Sequence, residues 1–158
     1  MAREILVLWA GRHRRDDWDA LCARYRERIA RFVDLKEIAI KVKGSATAGN
    51  RALTEGQALL AAVPDRSWPV ALDRQGKTYS SPQLATWLRA RLETSQDPIV
   101  FLLGSDLGLH SEVLERARDR LSFGPMTLPH ELARLVLYEQ LYRAFCITAG
   151  IKYHRDPL

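Results

Sequence analysis

Three short segments place glycine, proline and polar residues directly after apolar runs, where each could form part of a ligand site. They are residues 72–77, 103–109 and 122–130. In the second segment Gly104 and Gly108 are four residues apart, and glycine lets a ligand approach the backbone closely. A strand that simply turns into a helix has the same pattern, so a structural role stays open. The segment matches neither GxGxxG nor GxxxxGK[ST], so a dinucleotide or P-loop site lacks its main support.

The third segment is stiffened by two prolines, Pro125 and Pro129, before the long last helix. Proline fixes φ and removes a backbone donor. A stiff loop with outward-facing backbone groups could bind the edge of an adenine. A connector before a helix that begins at a proline would have the same composition, so both interpretations remain open.

The end of the chain brings together an aromatic ring, an imidazole and a guanidinium, in Tyr153, His154 and Arg155. Such groups could stack on a base, move a proton and bind phosphate. Chain ends are often solvated. A solvated tail and a functional site are therefore both compatible with these residues.

The elements that would position these segments alternate between strand and helix. The apolar patterns predict strands at 4–9, 33–42, 68–72, 99–103 and 121–123, and helices at 16–31, 51–63, 80–93, 111–120 and 130–148. This order predicts an α/β sandwich with a mostly parallel sheet, formed as one domain by residues 1–158. Ligands bind such sheets beyond the carboxyl ends of the strands, which is where the three segments lie.

Composition limits the class of protein further. The chain has 158 residues, 47% hydrophobic and 27% charged, which is typical of a globular domain. No apolar run reaches membrane-spanning or signal-peptide length, so we expect a cytoplasmic protein with no membrane partner. The net charge of +5 favours a polyanionic partner such as nucleic acid. Cys22 and Cys146 have no zinc-type spacing, which predicts buried free thiols and no metal.

Several short motifs of the chain, taken together, closely resemble those of one protein family. The matching residues are 127–130, 135–136, 139–144 and 153–155, with the turn at 102–104 and the stretch 72–77. They resemble the RlmH family, bacterial methyltransferases of the SPOUT class, over nearly the whole chain. The resemblance implies a three-layer α/β fold with a C-terminal trefoil knot, and a homodimer with active sites at the subunit boundary. It also implies S-adenosylmethionine-dependent methylation of ring N3 of a pseudouridine in 23S ribosomal RNA of the large subunit.

The resemblance further implies which residues bind the cofactor. Residue by residue, the family's pocket falls on Leu72, Gly104, Ser105, Gly108, Gly124, Pro125, Met126, Thr127, Leu128 and Pro129. Ser105 departs from the family, which usually has a second glycine there. Its hydroxyl either crowds the cofactor or supplies a hydrogen bond.

The catalytic residues that the resemblance implies are His130, Tyr153, His154 and Arg155. Either imidazole could assist removal of the imide proton, since imidazole titrates near neutrality. Tyr153 could stack on or hydrogen-bond the base, and Arg155 could stabilise developing negative charge or hold phosphate. Glu139 is interpreted as an ion-pair partner of Arg143.

One alternative keeps the fold without the chemistry: a non-catalytic protein that binds RNA or the ribosome. Ser105 is the feature that favours this alternative, and cofactor binding would distinguish the two.

The last helix is apolar over more than one face, so it needs a partner besides the sheet. A subunit interface and a domain interior both meet that need.

Overall fold

Strands and helices alternate along the chain in the computed structural model, which describes residues 3–11, 16–42 and 48–153. The elements are β1 (Glu4–Ala10), α1 (Asp17–Ile29), β2 (Asp34–Ile40), α2 (Ala48–Ala62), β3 (Trp68–Thr78), α3 (Ser81–Thr94), β4 (Ile99–Leu103), α4 (Ser111–Arg116), β5 (Asp119–Ser122) and α5 (His130–Ala149). The predicted alternation is confirmed.

The strands form one sheet in the order β2-β1-β4-β3-β5, and the neighbouring strands pair in parallel. All of β4 is buried, and β1 is buried from Ile5 onward. Strands covered on both faces are expected to be continuous apolar runs, which explains the two apolar segments of the sequence. The parallel arrangement brings the carboxyl ends of all these strands to one edge.

Helices cover both faces of the sheet. On one face Ile5 and Val7 share a core with residues of α1, α3 and α5, such as Leu137. On the other face Leu6 and Leu8 pack with residues of α2 and α4. Successive residues of a strand point to opposite faces, so β1 contributes to both cores. The result is a three-layer α/β/α sandwich, as the resemblance implies.

Two predicted boundaries were wrong in the same region. β3 does not end at Leu72 but continues to Thr78, because Lys77 and Thr78 pair with β5 after a register shift. The fourth helix ends at Arg116 instead of residue 120, because Ala117 is extended and the Arg118 amide donates to the Pro69 carbonyl at 2.8 Å. Both differences come from pairing between β3 and β5, which are distant in sequence.

A buried polar group fastens α5 to the first half of the chain. Tyr138 is fully buried, and its hydroxyl donates to Glu37 on β2. Glu37 also pairs with Arg26 of α1. Burial, and secondly the Glu37 carboxylate, raise the pKa of Tyr138 well above its ordinary value.

This arrangement predicts a loss of stability in alkali. Unfolded tyrosine ionises at about pH 10, whereas buried Tyr138 stays neutral, so the free energy of unfolding should fall as the pH rises above about 10. Tyr138→Phe should cost about 1–3 kcal/mol at pH 7, because Glu37 loses a buried donor. In the same variant the free energy of unfolding should also fall less above pH 10. Urea denaturation at pH 7 and at a pH above 10 measures both effects.

Tyr79→Phe is the matched control, because it removes a hydroxyl from a half-buried ring. We expect it to change stability less than Tyr138→Phe. A Tyr138→Phe protein as stable as the wild type at pH 7 would contradict the role assigned to the buried hydroxyl.

Cys22 and Cys146 are buried free thiols, as predicted. Burial is the largest influence on Cys22 and raises the pKa of its thiol. None of the helices within the described ranges is long and apolar enough to cross a membrane.

Candidate active site

The carboxyl ends of β4 and β5 and the middle of β3 surround a cleft of about 270 Å³, the first cleft. It is lined by residues 72–74, 103–109, 121, 123–124, 126–128, 130 and 133. All three segments singled out in the sequence contribute to it. Among the predicted cofactor residues, the lining includes Leu72, Gly104, Ser105, Gly108, Gly124, Met126, Thr127 and Leu128.

Pro125 and Pro129 are the predicted cofactor residues that do not line the first cleft. Pro129 instead occupies the position before the first residue of α5, with φ −54°. Proline is tolerated at that place because the first N–H groups of a helix have no intrahelical partner, so its missing donor costs little. Gly124, which does line the cleft, has φ +110°, a conformation that glycine adopts readily.

A tight turn follows β4 and forms one wall of the first cleft. A Cβ added to Gly104 would lie 2.6 Å from the carbonyl carbon and oxygen of Gly108. Gly108 itself has φ +75°, and its amide donates to the Ser105 carbonyl at 2.9 Å. The turn is therefore closed on itself, and Gly104 leaves no room for a side chain.

The Ser105 hydroxyl is committed to a hydrogen bond with α2. It donates to Oε2 of Glu55 at 2.7 Å and accepts from the Leu107 amide at 3.3 Å. Glu55 is 9% exposed, so the bond is largely shielded from water. The serine thus ties the turn after β4 to a helix on the face of the sheet that carries α2 and α4.

A second cleft of about 270 Å³ adjoins the first at the carboxyl end of β1. Its lining consists of Trp9, Ala10, Gly11, Asp16, Arg51, Glu55, Ser105, Asp106, His130, Glu131 and Arg134. Ser105, Asp106 and His130 belong to both clefts. This cleft was not predicted from the sequence, although the position of Gly11 just after β1 marks another strand end where ligands could bind.

His130 lies at the junction of the two clefts, on the first turn of α5. Its Nε2 is 3.2 Å from Oε1 of Glu131. Gly11, with φ +145°, lies against the ring, and a Cβ there would be 3.6 Å from Nε2. The imidazole is therefore positioned beside a carboxylate and faces the space between the clefts.

Arg134 is 6% exposed, although an arginine is rarely buried unless it is paired. Its guanidinium lies 4.2 Å from the centroid of the Trp9 ring and 3.6 Å from a carboxylate oxygen of Asp19. One signal was available: Arg134 lies three and four residues before the buried Leu137 and Tyr138, on the buried face of the helix.

Tyr153 lies apart from the linings of both clefts. Its ring meets Tyr142 edge-on with centroids 4.7 Å apart, and its hydroxyl donates to Glu139 at 3.3 Å. Burial is the main cause that raises the pKa of Tyr153. Glu139 also accepts from Nε of Arg143 at 2.9 Å, which confirms the predicted pair. The predicted catalytic residues His154 and Arg155 lie outside the described residues.

The site has no evident metal centre in the part of the chain that the structure describes. There, no three His, Cys, Asp or Glu side chains are grouped so that they could hold a metal ion.

The parallel α/β sheet, its glycine turns and the cleft at the carboxyl ends of its strands can be compared with those of known proteins. Residues 3–154 match the family model described as "Predicted SPOUT methyltransferase". Two solved structures have the same fold: a probable methylase family protein from Haemophilus influenzae (TM-score 0.52, 15% identity) and a probable methyltransferase from Bordetella pertussis (TM-score 0.54, 13% identity). The alignments cover 98% and 90% of this chain, and 71% and 94% of the respective structures. The chain belongs to the SPOUT methyltransferase family.

Relatives at higher identity narrow the place of the chain within that class. A protein of Nitratidesulfovibrio vulgaris is 39% identical over 98% of this chain and 99% of its own length. A protein of Solidesulfovibrio magneticus is 44% identical over 84% of this chain and 86% of its own length. Both are named ribosomal RNA large subunit methyltransferase H. Within the SPOUT methyltransferases, the chain therefore belongs with the methyltransferase H, or RlmH, proteins.

Proposed function

We propose that this protein methylates ribosomal RNA of the large ribosomal subunit, with S-adenosylmethionine as the methyl donor. The observation that carries the proposal is the first cleft, in which the turns after β4 and β5 meet residues 72–74 of β3 in a chain of this family. The names of its relatives support the RNA substrate. Ring N3 of a pseudouridine as the acceptor atom follows from the resemblance described above.

The residues of the first cleft suit a nucleoside-containing donor. Apolar side chains such as Leu72, Leu121 and Phe123 line it together with backbone groups of the glycine turns. Apolar walls with a few convergent polar groups are typical of small-molecule sites. The contact between Gly104 and Gly108 forms a wall that a side chain would disrupt. When bound, S-adenosylmethionine supplies a methyl group already activated by its positive sulfur.

We assign proton removal to His130. Its Nδ1 would accept the imide proton, because Nε2 faces the Glu131 carboxylate and carries the other ring proton; loss of the imide proton frees the N3 electron pair to form the bond to carbon. Glu131, 3.2 Å from Nε2, would stabilise the imidazolium that results. The clefts that meet at His130 would hold both reactants in place, and such positioning can contribute roughly 7–11 kcal/mol to catalysis.

The remaining assignments rest on the resemblance. His154 is the second candidate for accepting the imide proton. Arg155 is the candidate for stabilising negative charge, and Tyr153 is the candidate for contact with the base. Homodimerisation, with a tail that reaches the partner's site, would let Tyr153 act there although it lies outside both clefts of its own subunit. The trefoil knot, the single-domain organisation and the cytoplasmic location also remain predictions.

The proposal is tested with ribosomes from cells that lack this protein. Purified protein and S-adenosylmethionine should add one methyl group to a pseudouridine of the large-subunit RNA, which mass spectrometry of RNA fragments detects. Calorimetry measures donor binding separately. A protein that binds these ribosomes but neither binds the donor nor transfers a methyl group would support the non-catalytic alternative.

Ser105 offers a test specific to this chain. Ser105→Ala removes the hydroxyl that donates to Oε2 of buried Glu55, and a hydrogen bond to a charged group contributes about 1.5–3 kcal/mol. We expect a lower melting temperature. We also expect the Kd for S-adenosylmethionine to rise by up to about tenfold, since 1.4 kcal/mol corresponds to a factor of ten. Thermal denaturation and calorimetry measure the two effects.

Ser81→Ala is the control, because Ser81 also donates a side-chain hydrogen bond, at 2.6 Å to Gln140. That bond joins α3 to α5, away from both clefts. We expect it to affect stability while the donor Kd stays unchanged. Equal donor affinity in both variants would mean that the serine does not position the turn.

A further inference from the structure

We propose that the second cleft is the subsite for the target base, and that it selects a pyrimidine ring with two N–H groups. The inference rests on the proposed function, because it assigns the acceptor half of that reaction. It goes beyond it by naming Arg134 and Glu55 as the groups that recognise the base. Glu55 was not a candidate in the sequence.

The first argument is adjacency. Methyl transfer requires the acceptor atom within contact distance of the donor, so the two sites must open into each other. Ser105, Asp106 and His130 form the wall shared by the two clefts. A base in the second cleft would therefore lie beside both the donor cleft and the imidazole assigned to its proton.

The second argument is the hydrogen-bonding chemistry of the lining. The largely buried guanidinium of Arg134 has donors only, and it is held by the Trp9 ring at 4.2 Å. Glu55 and Glu131 are acceptors when ionised, and they come from α2 and α5, which cover opposite faces of the sheet. An imide offers carbonyl oxygens to the Arg134 guanidinium and its N–H to His130. Pseudouridine has a second ring N–H, which the Glu55 carboxylate can accept.

The third argument concerns charge. The second cleft has four carboxylates, from Asp16, Glu55, Asp106 and Glu131, and two guanidinium groups, from Arg51 and Arg134. Arg51 is already paired with Asp106, at 3.0 Å, and its Nε lies 3.8 Å from Oε1 of Glu55. An excess of carboxylates repels phosphate, so the cleft suits the base of a nucleotide and leaves the RNA backbone outside.

The test compares Glu55→Gln with the wild type, using S-adenosylmethionine and ribosomes from cells that lack this protein. Glutamine keeps an oxygen that accepts from Ser105 but loses the charge. We expect kcat/KM for ribosomes to fall by about tenfold or more, with the donor Kd within about twofold, since lost recognition of a buried N–H is costly. Glu115→Gln is the control, because Glu115 is exposed on α4 and lines neither cleft.

Arg134→Lys provides a second test, because lysine keeps the positive charge but lacks the planar guanidinium that can donate two parallel hydrogen bonds. We expect a similar fall in kcat/KM in protein shown to be folded by thermal denaturation; if it does not fold, Glu55→Gln decides. Wild-type kcat/KM in Glu55→Gln would overturn the subsite. A donor Kd that rises in parallel with the loss of kcat/KM would also overturn it, by assigning the second cleft to the donor. A wild-type protein that methylates no ribosome would instead refute the proposed function.

Discussion

Replacing Gly104 with alanine should strongly weaken binding of the methyl donor. The new Cβ would lie 2.6 Å from the backbone of Gly108, far inside van der Waals contact. A backbone neighbour cannot rotate away as a side chain can, so the turn after β4 must open. Overpacking of this kind costs about 1–3 kcal/mol. The donor Kd should therefore rise by roughly ten- to a hundredfold, measured by calorimetry with S-adenosylmethionine.

Gly108→Ala is the matched control, because it adds the same methyl group to the same turn. No atom lies within 4 Å of the added Cβ, so the cost comes from φ +75° alone, about 1–2 kcal/mol of stability. We expect its donor Kd to change less than that of Gly104→Ala. Wild-type donor affinity in Gly104→Ala would remove this turn from the donor site.

The second large effect is expected for His130→Gln. Glutamine keeps hydrogen-bonding groups but cannot accept a proton as imidazole does, and general acid–base catalysis contributes about 10²–10⁴-fold. The turnover number on ribosomes should therefore fall by about a hundredfold. The donor Kd should change little, because His130 lies at the edge of the first cleft. Single-turnover methylation assays with saturating donor measure the rate.

His110→Gln is the control for this experiment. The His110 imidazole accepts from the Glu112 amide at 3.2 Å at the start of α4 and lines neither cleft. Its replacement should leave turnover unchanged. If His130→Gln also retained most of the wild-type turnover, proton removal would have to be assigned to another group, of which His154 is the candidate from the resemblance.

Local sequence signals predicted much of the fold. The apolar run of β4 follows directly from burial on both faces, and Ser80 with Pro82 marks the start of α3, where a capping box with Gln83 is present. The extension of β3 could not be predicted in the same way. Residues 73–76 are polar and contain a glycine, and they continue as a strand only because β5 pairs beyond them.

The first cleft was predictable because the strand-end rule needs only the positions of the strands. The second was not, since it depends on how α2 and α5 pack around the end of β1. Arg134 illustrates the difficulty: an arginine in a helix indicates solvent, and only Trp9 and Asp19 on other elements account for its burial. Ser105 is similar, because Glu55, its partner, is fifty residues away.

The strand order also has a consequence for synthesis of the chain. β4 lies between β1 and β3, so these two strands cannot share a sheet until residues 99–103 have left the ribosome. Until then β1 and β3 each keep an unpaired apolar edge, and exposed edges of this kind favour aggregation. We therefore expect nascent chains that stop before β4 to bind chaperones strongly, and folding to be completed only after translation has passed the middle of the sheet.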